Sequence, residues 1–428
     1  MHILMVGFSK TLFNSLKDTE MDLKITVVEE RELYFGKKME QFSLDILNDV
    51  IFTEYQQSEL YIEDITRYIK DTGIKIDAVI PGLEYAVAAA AETARILGLK
   101  NSNISNNDIL INKLLFRLHC KKFNLPQPDF QEVKSVSDIY NFWEGNKVVL
   151  KPANRQASLG VIKIASTEEI ESAWNEVLSI DEGIQMANRE MKHTYLVERC
   201  MFGQEISSEV FVKEQEISFM NLTDKIVTEG KYSVELGHIV PSQQSSLIKE
   251  EIKVITQELI NSLGYQNGVM HIEWILTDEG PKIIECAGRA AGDQIFNLIK
   301  LAYNFNPYEA FIKIMANEEY IFPKNADKVS AIRFLKPISG VLKNISGLES
   351  FEFPNIINWG LKIKVGDRIS EYRSSWDRIG HFITVDKSYD ELEYHIKKTL
   401  DNIKLEVVEE NELKSIQSMD NQINHINL

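Results

Sequence analysis

MHIEWILTDEGPKIIECAGRAAGD, residues 270–293, decides the reading of this chain. Two apolar segments, Val269 to Leu276 and Pro281 to Ile284, flank the turn signal Thr277-Asp278-Glu279-Gly280, so an antiparallel hairpin is expected. Glu273 lies on one arm and Glu285 ends the other. A turn that folds the arms face to face sets the two carboxylates side by side, where repulsion is costly unless a cation lies between them. Such a pair asks for Mg²⁺, with Mn²⁺ as an alternative. Arg289 follows four residues after Glu285, with Gly292 and Asp293 beyond, placing a permanent planar cation beside the metal site. Metal plus arginine is what a reaction at phosphate needs.

Composition bounds the rest. A chain of 428 residues exceeds one ordinary core and implies roughly two to four domains or lobes. At 44% hydrophobic and 26% charged it has a globular make-up. The net charge of -17 argues against a nucleic-acid partner, so an anionic substrate needs a local cationic pocket. Cys120, Cys200 and Cys286 are far apart, odd in number and without metal-ligand spacing, which fits a reducing cytoplasm better than a disulfide framework or a zinc site. The opening MHILMVGFSK has no basic region before its apolar run and no small-residue cleavage site after it, so it reads as a first strand. No apolar stretch approaches the roughly 20 residues that span a bilayer, and Glu92 and Arg95 interrupt AVAAAAETARILGL. A cytoplasmic protein without a membrane partner is expected.

The first hundred residues alternate strand-like and helix-like segments: His2 to Val6, Ile25 to Glu29, Asp77 to Pro81, and a helix from Tyr85 to Leu97 closed by Gly98. That is an open α/β layer. Gly7 follows the first strand, but MVGFSKT lacks the other glycines of a dinucleotide fingerprint, leaving a nicotinamide site as the weakest reading. The polar linker Asn101 to Asp108 marks a boundary, followed by a helix from Ile109 to Phe123 and an extended Leu125-Pro126-Gln127-Pro128. A second polar passage, Lys324 to Asp327, opens a C-terminal part with strands at Ser330 to Leu335 and Leu361 to Val365 and a helix from Tyr389 to Ile403. The Asn-rich stretch Gln417 to Leu428 reads as a frayed tail. The division expected is 1–108, 109–323 and 324–428.

Two further segments carry chemistry. Lys147-Val148-Val149-Leu150-Lys151-Pro152 is a strand ending in lysine and proline, followed by ANRQASLGV. A strand that delivers Lys151 beside a small-residue loop containing Ser158 and Gly160 can set an ammonium and backbone N–H groups around phosphate oxygens. In Tyr195 to Ser207 a strand leads into a linker in which Glu198 and Glu205 flank Gly203. Backbone groups of such a linker can bond an adenine edge, and a carboxylate beyond it can accept from ribose hydroxyls.

In this order and spacing the segments resemble the ATP-grasp superfamily, and within it the carboxylate–amine ligases, most like the bacterial L-amino acid ligases that make dipeptides. The similarity runs from MHILMVG to SSWDRIGHFITV. It implies an α/β (α+β) ATP-grasp fold: an N-terminal open α/β preATP-grasp domain, two lobes clamping ATP, and a C-terminal extension. It implies that Lys113 and Lys151 hold ATP phosphates under the loop around Ser158 and Gly160, that Glu198 lies at the adenine end, and that Glu205 lies at the ribose. Glu273 and Glu285 would hold Mg²⁺, Lys151 and Arg289 would be catalytic, and Arg289 would also meet the acyl phosphate. Tyr232 and the Gly237 to Pro241 stretch resemble the substrate-facing loop of the amino acid ligases, with His238 read either as a substrate contact or as a packed loop histidine.

The partners implied are ATP and amino acids, and a homodimer is compatible. Two departures stand out. Ala287 occupies a position where many members carry Asn, which questions a second metal ion, and Arg155 and Gln156 replace flexible residues of the phosphate loop. The alternatives are an ATP-grasp ligase of purine or carboxylation metabolism acting on a small acid, and an ATP-binding module without turnover.

Overall fold

The apolar runs near the N-terminus form a four-stranded parallel sheet in the order Leu47–Phe52, Lys24–Glu29, His2–Val6, Ala78–Pro81. The structure is a computed structural model and describes residues 1–408 except 43, 184, 185 and 188; the tail expected over 417–428 lies outside the described residues. Both faces of this sheet are covered at its centre, which is why His2–Val6 and Ala78–Pro81 are nearly continuous apolar runs, whereas the edge strand Leu47–Phe52 exposes Asn48 and Asp49. Leu4, Val6 and Val28 pack toward the helices Leu60–Thr72 and Val87–Ile96, whereas Ile3, Met5, Ile25 and Val27 pack into a core shared with Phe296, Ile299 and Phe311. The loop after the first strand turns at Gly7 (φ 78°), and its Phe8 amide donates to the buried Glu29 carboxylate at 2.8 Å. An acid already engages the amide that a dinucleotide phosphate would use.

A small antiparallel sheet, ordered Phe130–Val133, Tyr195–Arg199, Val148–Pro152, Ile162–Ile164, packs under the helices Val136–Phe142 and Ile170–Leu178 and forms a lid lobe. Ahead of it the helix expected over Ile109 to Phe123 is split. A 3-10 turn covers Asn107–Leu110, and the Asn112 side chain accepts from the Leu114 and Leu115 amides to start a new helix, Lys113–Lys122. Asn at an N-cap competes with continued helix in this way. The break puts Lys113 on the first helical position, with its amide bonded to Ala153 O at 2.7 Å beside the loop expected to hold phosphate.

The largest sheet has eight antiparallel strands: Gly280–Ala287, Gly268–Thr277, Gln204–Lys213, Glu216–Val227, Glu235–Val240, Val329–Phe334, Gly380–Asp386 and Ile356–Leu361. Helix Ser246–Leu263 covers one end of it. The sheet runs across residue 324 without interruption, because His238 pairs with Ile332 and Ile239 with Ala331. The strand expected at Leu361 to Val365 lies upstream instead, at Ile356–Leu361. Leu-Lys-Ile-Lys-Val has the right alternation, but Asp367 captures the Lys364 amide at 3.0 Å and turns the chain there. Helix Tyr389–Asn402 and a three-stranded sheet, Arg368–Ile369, Gly340–Ser346, Lys404–Val408, complete the C-terminal part. Among the described residues no helix is long and apolar enough to cross a membrane.

Candidate active site

The decisive hairpin forms with Thr277 opposite Gly280, so its turn is Asp278-Glu279. Counted from that turn, Glu273 would face Ile284 and the two glutamates would point to opposite sides of the sheet. A β-bulge corrects this: Trp274 pairs with Ile283, but Glu273 pairs with Glu285. Arg117, from helix Lys113–Lys122, sustains the bulge by donating from Nη1 to Ile283 O at 2.9 Å and from Nη2 to Ile284 O at 2.6 Å. Its Nε meets Glu198 Oε1 at 2.6 Å.

Around the two carboxylates is a cleft of ≈ 380 Å³, walled by the lid lobe, the N-terminal layer and the large sheet. Lys113, Lys151, Ser158, Glu198, Glu205, His238, Glu273, Glu285 and Arg289 all line it, although they come from places as distant in sequence as 113 and 289. Gly160 and Tyr232 do not line it. Gly160 (φ 77°) turns the end of the phosphate loop against Ile180, where a Cβ would meet Ile180 Cδ1 at 2.5 Å. The Tyr232 hydroxyl donates to Glu176 Oε1 on helix Ile170–Leu178 at 2.6 Å, so the ring is spent on the lid lobe's own packing. Its expected substrate contact is corrected accordingly.

Each carboxylate has a cation. Glu285 Oε1 lies 3.0 Å from Lys113 Nζ, and Glu273 Oε2 lies 2.9 Å from Lys225 Nζ. Lys225, absent from the sequence reading, also faces Glu205 and Glu235, each at 3.7 Å. Burial alone would favour its neutral form, but Glu273, Glu235 and Glu205 together hold its pKa well above the ordinary lysine value. Glu273 is buried too, which would raise its pKa; Lys225 and His271 instead drive it well below the carboxylate range. His271 Nδ1 lies 3.1 Å from the buried Glu209, and its Nε2 lies 3.5 Å from Glu273. Against the effect of burial, those two acids push His271 up to about 9. Glu209 is fixed in turn by Ser207, Asn221 and Thr223. Glu205 goes the other way: burial and the acids Glu273 and Glu235 outweigh Lys225 and raise it.

Lys151 Nζ sits 2.7 Å from Glu198 Oε2, so the carboxylate expected at the adenine end is engaged on both oxygens, by Lys151 and Arg117. Burial opposes its charge, but the two cations keep Glu198 below the usual carboxylate range; burial, reinforced by Arg117, lowers Lys151. The adjoining linker residues Arg199, Cys200 and Met201 line the cleft. Arg289 Nε meets Glu84 Oε2 at 2.5 Å. Glu84, from the N-terminal layer, is a second residue the sequence reading missed. At the far wall Asp293 accepts from Arg378 Nη1 at 2.5 Å and Nη2 at 2.8 Å, and lies 3.0 Å from His238 Nε2. Arg378 also bonds Glu235, whose other contacts include Ser158 and Ser375, so the C-terminal part touches the phosphate loop.

Among the described residues no group of three or more His, Cys, Asp or Glu could hold a metal ion by itself. Two opposed carboxylates suit Mg²⁺ all the same, since that ion takes one or two protein carboxylates and completes its octahedron with phosphate oxygens and water. Ala287, buried opposite His271, offers no oxygen from its side chain.

Comparison with known proteins bears on the domains and the fold. Residues 145–297 match the ATP-grasp domain and residues 333–408 match L-amino acid ligase C-terminal domain 2. The chain therefore carries an ATP-grasp domain followed by a C-terminal domain of the L-amino acid ligase type. An uncharacterized protein of Sinorhizobium fredii is 25% identical over 332 residues, 77% of this chain and 68% of that protein. The D-alanine--D-alanine ligase of Oceanobacillus iheyensis is 25% identical over 195 residues, 40% of this chain and only 50% of that enzyme. In fold, the L-amino acid ligase from Bacillus licheniformis superposes with a TM-score of 0.76 at 18% identity, covering 95% of this chain and 98% of that one. The N5-carboxyaminoimidazole ribonucleotide synthetase from Thermotoga maritima gives 0.64 at 18% identity, covering 95% and 99%.

Proposed function

We propose that this ATP-grasp ligase joins two L-amino acids, activating the carboxylate of one as an acyl phosphate and releasing ADP and phosphate. The observation that carries the reading is the far wall of the cleft. There a C-terminal part of the L-amino acid ligase type reaches the loop around Ser158 through the Ser375 amide, which donates to Ala157 O at 3.2 Å, and holds Asp293 through Arg378.

A carboxylate is a poor acyl donor because its leaving group would be oxide, so phosphorylation must come first. Lys113 and Lys151 would neutralise the nucleotide phosphates, and the loop around Ser158 would cover them and exclude water. Glu273 and Glu285 would hold Mg²⁺, which supplies charge neutralisation at the phosphates when bound. Arg289, oriented by Glu84, would bind the acyl phosphate and then stabilise the oxyanion as the neutral amine attacks, so that phosphate leaves and the amide forms. In this division, residues 1–108 orient the arginine, 109–323 hold the nucleotide, and 324–428 shape the amino acid end.

The test is a matrix of amino acid pairs with ATP and Mg²⁺, read by phosphate release and by product mass. An amide of a defined pair is the expected result. Phosphate release that depends on bicarbonate, with no amide mass, would transfer the reading to carboxylation chemistry.

A further inference from the structure

Arg155 departs from a flexible phosphate loop, and the structure gives it an unusual setting. It lines the cleft yet is only 7% exposed, and its backbone carbonyl accepts from Lys113 Nζ at 2.7 Å. Its guanidinium faces Glu182 Oε1 at 3.3 Å from Nε, and its Nη2 lies 3.5 Å from His193 Nε2. Neither Nε nor Nη1 finds a hydrogen-bond partner. Buried donors left in that condition are costly, and each asks for an explanation. Charge is balanced here, but the fork that recognises planar oxygen pairs is not used.

Glu182, itself 6% exposed, is fixed from the other side: its Oε2 accepts from the Tyr85 hydroxyl at 2.6 Å. Tyr85 belongs to the N-terminal layer and follows Glu84, the carboxylate that holds Arg289. A second tie joins the same two parts nearby, where Arg189 grips Glu30 at 2.6 Å and the Ala187 amide donates to Gln56 Oε1 at 2.9 Å. The loop cation and the catalytic arginine are therefore anchored at consecutive residues of one turn.

We propose that Arg155 is a catalytic residue that binds the transferred phosphoryl group, and that Glu182 and Tyr85 are the positioning residues that aim it. The proposal rests on the ligase reading above. In the step concerned, a substrate carboxylate oxygen forms the new P–O bond while the bond from the γ-phosphorus to the β–γ bridging oxygen breaks; ADP keeps the electron pair and no proton moves. Arg155 binds an equatorial oxygen through Nη1, while Nε stays against Glu182 and Lys113 and Lys151 remain on the nucleotide. Glu182 holds the guanidinium from one side, and the Tyr85 hydroxyl holds Glu182 in turn.

Titration with ADP and with ADP plus aluminium fluoride, a planar mimic of the phosphoryl group in flight, tests this without turnover. Arg155→Gln should weaken the aluminium fluoride complex at least tenfold and ADP alone less than threefold. Tyr85→Phe should weaken the same complex about threefold in the wild-type background and not at all in the Arg155→Gln background. Arg155→Lys should recover part of the loss, since charge returns without the fork. Equal weakening of both ligands by Arg155→Gln, or additive effects of Tyr85→Phe and Arg155→Gln, would make the chain of contacts a structural tie and overturn the proposal. Tight aluminium fluoride binding in a protein that forms no amide with any pair would remove the dipeptide reading and leave Arg155 in its role.

Discussion

Replacing Arg117 with methionine keeps most of the side-chain volume and removes the charge that unites the nucleotide lobe with the hairpin. The arginine is 0% exposed and makes three bonds: to Glu198 at 2.6 Å, to Ile283 O at 2.9 Å and to Ile284 O at 2.6 Å. Removing one partner from a buried ion pair costs about 3–5 kcal/mol, because the remaining charge keeps its desolvation penalty. Here Lys151 still faces Glu198, which favours the lower end, while two bulge carbonyls lose a donor at about 1–3 kcal/mol each, which favours the upper. Slopes of about 1–3 kcal/mol per molar urea hold for small proteins and rise with size, so in a chain of this length a loss of about 4 kcal/mol lowers the unfolding midpoint by roughly 0.5 M or more. Tryptophan fluorescence is a suitable probe, since Trp274 is buried and pairs with Ile283 beside the bulge. The pH dependence has a definite sign. Glu198 is held below its ordinary value of 4.5, so its contribution is present above that value and is lost as pH falls through the depressed folded value. The gap between wild type and Arg117→Met should therefore narrow as pH drops below about 4.5. A midpoint shift under about 0.3 M at pH 7, with unchanged slope, would refute the role given to this arginine.

Further outcomes are expected at the site itself. Glu273→Gln and Glu285→Gln should each cost at least tenfold in turnover, ~1.4 kcal/mol of transition-state stabilisation, with only partial recovery in excess Mg²⁺; full activity of both at limiting Mg²⁺ would remove them from the metal site. Arg289→Lys should still bind ATP but release more than one ADP per amide, because a lysine cannot reproduce the fork on the acyl phosphate; unchanged yield and coupling would make Arg289 structural. Lys151→Met should weaken ATP binding in equilibrium titration and also lower the urea midpoint, since it leaves Glu198 with Arg117 alone.

Local signals explain what the sequence made legible. The hairpin, the first strand His2–Val6 and the last helix follow from periodicity and turn chemistry that lie within a few residues of each other. Several of the expected cleft residues converge for the same reason, since Lys113 opens a helix and Lys151, Glu198, Glu205 and Glu285 lie near the ends of readable strands. The missed features depend on distant partners. The bulge that puts Glu285 opposite Glu273 has no mark in IIECA and needs Arg117, more than 160 residues away. Lys225 reads as one polar residue in a strand until the three acids around it are placed. Glu84 sits in a short 3-10 turn and gains meaning only from Arg289. Tyr232 stands in sequence beside a stretch that resembles a substrate-facing loop, whereas its bridge to Ile162 holds it on the lid lobe.

The uninterrupted eight-stranded sheet has a consequence for how such proteins can be recombined. Removing the C-terminal part at residue 324, as if it were a bead on a string, would strip Val329–Phe334 from Glu235–Val240 and leave the latter as a bare edge open to aggregation. That exposed strand carries Glu235 and His238, so the same cut would unmake one wall of the cleft. Chimeras must therefore transplant whole strand pairs, and the graft point that respects the hydrogen-bond ladder lies on the sheet rather than in the polar passage at 324–327.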